Sequence, residues 1–193
     1  MGRAALIVVD VQRDFCEGGA LAAADTMSLL GPLQRCVEEA RRAGAVIVFT
    51  RDWHPENHSS FQHSGGPWPV HCVLDSKGAE FMPPVRAEAG DLIIDKGVGV
   101  EGPGYSGFED TGLGERLKEL QVDRVGVSGI ATEYCVRATA LDAVRAGLAT
   151  TVLEDLVRPV NAKDGAKALA EMKEAKAERS TAAQWLATVR AQR

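Results

Sequence analysis

The sequence predicts an α/β fold built on an open parallel sheet. Two observations carry this: short β-branched apolar runs alternate with stretches of helical periodicity, and reactive side chains recur where those runs end. Residues 4–9 form the first apolar run, which Asp10 terminates. Leu30, Leu33, Val37 and Ala40 then recur at helical spacing until Gly44 stops the helix. Residues 45–50 read as the second strand, 91–95 as the third and 124–128 as the fourth, with a short helix over 113–120 between the last two. Val136, Ala140, Leu141 and Val144 repeat the helical pattern before Gly147, and residues 150–154 are the fifth strand. A further helix spans residues 166–172, where Lys167, Glu171, Lys173 and Glu174 read as a solvated face. Residues 175–179 are expected to form a last edge strand despite their polar composition.

The chain of 193 residues suffices for one domain, 1–193, with a substantial core, and a second would be crowded. Hydrophobic residues at 45% and charged residues at 25% are an ordinary globular mixture, which excludes a disordered chain. A net charge of -5, with Lys and Arg dispersed, leaves no electrostatic footprint for nucleic acid or an anionic membrane, so the expected partner is a small molecule. Asp10 interrupts the first apolar run well short of a signal peptide or membrane span, and the protein is expected in the cytoplasm. Cys16, Cys36, Cys72 and Cys135 contain no CxxC pair and are too few for a disulfide framework, so four reduced thiols are expected.

Ligands of an open parallel sheet bind beyond the carboxyl ends of its strands. Asp10 follows the first strand, Asp52 sits just past the second, Lys96 follows the third, and Gly129 leads from the fourth toward Cys135. Each has an ordinary reading alone: Asp10 as a turn carboxylate or cap, Lys96 as a solvated strand-end lysine, Cys135 as a small core residue. Their joint placement along one sheet edge favours a site instead. Cys135 begins a helix with Thr132 as the expected N-cap, and the helix's positive end together with Lys96 would favour thiolate over thiol. Asp10 could take the thiol proton and later deliver it to a leaving group. A Cys-Asp-Lys set of this kind suits acyl transfer from an amide, with backbone donors receiving the carbonyl oxygen.

The stretch from His54 to Pro84 holds His54, His58, His63 and His71 among several Gly and Pro, and a loop of that length is usually functional. Asp52 and His54 are two apart, so on extended chain both project to one side and can ligate a single ion. With His71 they make three protein ligands, which leaves coordination positions open, the catalytic rather than the structural arrangement. Cys72, adjoining His71, reads as a packing thiol. Gly97-Val-Gly99-Val-Glu-Gly102 matches a dinucleotide-binding fingerprint, yet Pro103, Gly104 and Gly107 follow where that motif requires a helix. A loop carrying Tyr105 over a pocket is expected there instead.

Five motifs together resemble the nicotinamidases of the isochorismatase-like hydrolase superfamily: Asp10-Val-Gln-Arg-Asp-Phe15, Thr50-Arg-Asp-Trp-His-Pro55, Gly66-Pro-Trp-Pro-Val-His71-Cys72, Asp95-Lys96-Gly97 and Gly129-Ile-Ala-Thr-Glu-Tyr-Cys135-Val. They occur in the family's order and span roughly residues 3–155. The resemblance implies a three-layer α/β/α fold with a six-stranded parallel sheet, and hydrolysis of nicotinamide to nicotinate and ammonia. It implies Cys135 as nucleophile, Asp10 as proton carrier, Lys96 as cationic partner, and Asp52, His54 and His71 as ligands of one divalent metal ion, with zinc, iron and manganese as candidates. A cis peptide is implied between Ile130 and Ala131, with the N–H groups of Ala131 and Cys135 as oxyanion hole. Phe15, Trp68 and Tyr105 match positions that line the ring pocket, and Leu21 is expected to join them. His58, Ser60, His63 and water all remain open as the fourth metal ligand, and a homo-oligomer remains open too. Pyrazinamide keeps both ring nitrogen and amide and is an expected second substrate. Two other readings compete: a cysteine hydrolase of the same fold acting on an N-carbamoyl or ureido compound, which would not need the metal trio, and a non-enzymatic metal- or redox-responsive thiol protein, which would leave Asp10 and Lys96 without a task.

Overall fold

Every apolar run becomes a strand of one sheet. In the computed structural model, which describes residues 2–102 and 104–191, the strands are β1 (Arg3–Val9), β2 (Val46–Asp52), β3 (Leu92–Lys96), β4 (Val122–Ile130), β5 (Ala149–Arg158) and β6 (Glu178–Ser180). They lie in the order β3-β2-β1-β4-β5-β6, and every neighbouring pair is parallel. The helices are α1 (Thr26–Arg42), α2 (Leu113–Glu119), α3 (Arg137–Arg145), α4 (Ala162–Glu174) and α5 (Ala182–Arg190).

β1 runs through the middle, and its side chains divide between two cores as the strand's two-residue period requires. Leu6 and Val8 join α1 residues such as Leu33 and Val37 and α5 residues such as Trp185 and Leu186. Ala5, Ile7 and Val9 join Leu113 and Leu117 of α2, Ala140 and Ala143 of α3, and Met172 of α4. The result is three layers, with α1 and α5 on one face and α2, α3 and α4 on the other. Packing of α5 is close: a Cβ on Gly126 of β4 would lie 2.7 Å from the Trp185 indole.

Strand order reverses at β1, because β2 and β3 extend to one side while β4 begins the other. The carboxyl ends of β1 and β4 therefore diverge into a crevice, the usual ligand site of such sheets. Gly129 shapes it, with φ at 112° and a would-be Cβ 2.1 Å from the Val9 carbonyl oxygen, so a side chain there would drive the two strand ends apart.

Three expectations change. Asp52 and Lys96 are the last residues of β2 and β3, paired across them, rather than residues beyond the strands. The edge strand expected over residues 175–179 is displaced to Glu178–Ser180 and is only three residues long. After it comes α5, a helix not expected from the sequence; a capping box between Thr181 and Gln184 starts it, and its apolar face completes the first core. Among the described residues no helix is long and apolar enough to cross a membrane.

Candidate active site

The carboxyl ends of four strands deliver Asp10, Asp52, Lys96 and Cys135 to one buried cluster. Asp10 turns away from β1 with a left-handed backbone, φ 47°, and its N–H donates to the Thr50 carbonyl at 3.2 Å. The Thr50 hydroxyl donates to Asp10 Oδ1 at 2.6 Å, fixing the carboxylate. Lys96 Nζ lies 2.8 Å from Asp10 Oδ2, an ion pair not aligned as a hydrogen bond, and it donates to Asp52 Oδ1 and to the Gly104 carbonyl at 2.9 Å. Cys135 Sγ is 3.4 Å from the same ammonium.

Burial dominates the protonation of this cluster and the carboxylates correct it. Burial by itself would push the Lys96 ammonium down, yet Asp10 and Asp52 hold it well above its ordinary range, so the lysine stays charged. Burial raises Asp10 more than Lys96 lowers it. Asp52 is held below the usual carboxylate range because Lys96 and His54 together outweigh its burial. The Cys135 thiol is pushed well up by burial, which Lys96 only partly opposes. Burial therefore works against the thiolate that the helix terminus and Lys96 were expected to favour. The expected Thr132 cap is absent. Residues Thr132–Val136 form a single π turn ahead of α3 whose N-cap is Ala131, and the buried Thr132 hydroxyl has no partner. The peptide between Ile130 and Ala131 is cis, as the resemblance implied.

Asp52, His54 and His71 converge beside this cluster. Asp52 Oδ2 is 3.4 Å from His54 Nε2 and 4.0 Å from His71 Nε2, and all three residues are buried. His54 Nδ1 bonds the Gly97 carbonyl and His71 Nδ1 the Pro69 carbonyl, both at 2.8 Å. The carbonyl bonds take up Nδ1 of each ring, so in both the Nε2 atom is the one turned toward the Asp52 carboxylate and open to a metal. One ammonium against two carboxylates leaves the cluster short of positive charge, which a divalent ion would supply. The donor set thus fits the metal in both open nitrogens and charge. Arg51 and Trp53, at the alternate positions, stack on each other away from the site, 3.7 Å from guanidinium to ring.

Of the three side chains open as fourth ligand, only His63 is exposed; Ser60 lines the pocket and His58 packs against His54. His63 is exposed and bonds the Glu56 carbonyl. Ser60 pairs its hydroxyl with His58 Nδ1 at 2.7 Å. His58 is buried with its ring stacked 4.0 Å from that of His54, and burial pushes it down to about 4, so it is a neutral imidazole. Its Nδ1 also accepts the Ser60 N–H at 3.3 Å, and its buried Nε2 has no partner.

A pocket opens over both centres. Phe15, Leu21, Trp68 and Tyr105, all expected, line it, and the Trp68 indole donates to the Tyr105 hydroxyl at 3.2 Å. Three further lining residues escaped the sequence reading: Ile130, Tyr134 and Val160. Tyr134 meets Trp68 edge-on at 5.2 Å and was legible in principle as the neighbour of Cys135. Val160 follows β5, and a correct end for that strand would have found it.

Comparison with known proteins agrees with this geometry. Residues 4–184 match the isochorismatase domain family. The chain is 43% identical over 184 residues to a nicotinamidase/pyrazinamidase of Mycobacterium tuberculosis, covering 90% of this chain and 96% of that protein. It is 36% identical over 204 residues to a nicotinamidase of Escherichia coli, covering 94% and 96%. The crystal structure of a pyrazinamidase of Pyrococcus horikoshii in complex with zinc superposes with a TM-score of 0.90 at 45% identity, covering 93% of this chain and 99% of that one.

Proposed function

The chain belongs to the isochorismatase family, and on that premise we propose that it is a metal-dependent cysteine amidohydrolase converting nicotinamide to nicotinate and ammonia. The observation that carries this is the division of one carboxylate. Asp52 Oδ1 is bound by Lys96, whose ammonium lies 3.4 Å from Cys135 Sγ, while Oδ2 faces the two ligand imidazoles. A substrate filling the aromatic pocket can therefore engage a metal at one end and a nucleophile at the other, as a pyridine with a carboxamide does. Relatives that carry the nicotinamidase name over nearly their whole length support the substrate.

The residues divide the reaction as follows. Cys135 Sγ attacks the carboxamide carbon while its proton passes to Asp10, whose burial-raised affinity suits it to accept. The Ala131 and Cys135 N–H groups receive the oxygen as it gains charge. Asp10 returns the proton to the departing ammonia, leaving a thioester on Cys135. Water, losing a proton to Asp10, cleaves the thioester, and nicotinate leaves as the thiol is restored. Lys96 keeps a positive charge beside sulfur and both carboxylates throughout. Asp52, His54 and His71 would hold a divalent ion, zinc first, which would supply Lewis-acid character at the ring-nitrogen end of the substrate. Phe15, Leu21, Trp68, Tyr105 and Tyr134 confine the ring, and pyrazinamide fits the same description.

We place this activity in the cytoplasm, in a single domain, where nicotinate would enter pyridine nucleotide salvage. Release of nicotinate and ammonia from nicotinamide by the zinc-loaded protein tests the proposal, beside Cys135→Ala and a chelated sample. Turnover that collapses in both controls supports it. Zinc-loaded protein that releases neither product overturns it and makes N-carbamoyl compounds the next substrates to assay.

A further inference from the structure

Gln12 belongs to neither the triad nor the metal trio, yet it is fully buried and two of its three side-chain bonds reach the backbone of Asp52. Its Nε2 donates to the Asp52 carbonyl at 2.8 Å and to the Ala79 carbonyl at 3.0 Å, and its Oε1 accepts the Asp52 N–H at 2.8 Å. The paired bonds to Asp52 copy what a neighbouring strand would provide. Thr50 still finds its partner in the Asp10 N–H. By Asp52, however, β1 has ended and its chain has turned away at Asp10, while Trp53 N–H is already paired to Lys96 on the β3 side. The Asp52 N–H and C=O thus face a gap in the sheet, and the Gln12 carboxamide fills it. The third bond ties in Ala79, late in the long loop that carries His71.

We propose that Gln12 is a positioning residue for the metal centre: its carboxamide replaces the missing strand at Asp52 and so fixes the carboxylate that Lys96 and the ligand imidazoles share. This rests on the reading of Asp52, His54 and His71 as metal ligands. Asp10 is held separately by Thr50, so the effect of losing Gln12 falls first on Asp52.

Two substitutions test it. Gln12→Met removes all three bonds, and Gln12→Glu keeps the shape but turns a carboxylate toward two carbonyl oxygens. Zinc dissociation constants, read by competition with a chromophoric chelator, should rise about 10- to 100-fold in both, the usual effect of removing a group that orients a ligand. Turnover of nicotinamide by the variants should recover as zinc is raised to saturation, which collapse of the fold would not allow. Should the variants fail to fold, hydrogen exchange of the Gln12 carboxamide in the wild-type, zinc-loaded protein decides instead. Protection at least tenfold beyond an exposed glutamine supports the clamp, and exchange at the exposed rate overturns it. Variants that bind zinc like a zinc-binding wild type overturn the role of Gln12 alone. A wild type that holds no zinc overturns the metal reading and this role together.

Discussion

Cys135 and Lys96 were legible from the chain because the strand-end rule depends only on where apolar runs stop. The protonation of Cys135 was not legible, since a helix terminus and a nearby lysine can be read from sequence but depth of burial cannot. Depth works against ionisation here: burial first, then the two carboxylates, pushes the Cys135 thiol up against the pull of the ammonium. Lys96→Met should accordingly lose both function and stability. It would strand Asp10 and Asp52 as buried charges without their cation, a loss of about 3–5 kcal/mol in urea unfolding. Activity should fall by about 100-fold or more at saturating zinc. Wild-type stability in that variant would mean that the two carboxylates do not depend on the ion pair. Asp10→Asn keeps the shape, so it should leave zinc binding intact while removing the proton carrier, lowering kcat by about 100- to 10,000-fold. A fall confined to KM would remove Asp10 from the proton path.

Regular elements with a clear period were found at nearly their true positions, and the failures lie where the period is short or absent. β6 has three residues, too few to alternate, and α5 presents only Ala182, Trp185, Leu186 and Val189 to the core. Its signal was present all the same, in Thr181 followed three residues later by Gln184. Thr181→Ala should cost about 1 kcal/mol by loss of the cap. Trp185→Ala should cost far more, about 3–5 kcal/mol, because the buried indole packs on the bare backbone of Gly126 and its removal leaves a cavity. Both can be measured by denaturant unfolding, and activity per folded molecule should be unchanged in each, since α5 lies on the sheet face away from Cys135. Equal costs for the two would show that α5 contributes little packing.

Across the whole molecule, four free thiols are buried and each resists ionisation, so stability should fall on the alkaline side. Cys36 is the clearest case: burial first, then Asp155 and Glu39, pushes its thiol from 9.0 to about 12. The folded state thus holds a proton that the unfolded chain releases near 9. The contribution, at most about 4 kcal/mol, is complete below pH 9 and is lost as pH rises through 12. Wild type and Cys36→Ala should therefore converge in stability over that range, and a constant difference would contradict the assignment. The order of apolar runs and strand-end polar residues determined the α/β class, the parallel sheet and the delivery of Asp10, Asp52 and Lys96 to one sheet edge, because periodicity and chain order are local properties. Tertiary structure alone decided the depth at which Cys135 and His58 are buried, the entry of Tyr134 and Val160 into the pocket, and the bonding of Gln12 to Asp52. Each of those depends on which distant segments meet and how deeply they are buried, and no local pattern encodes either.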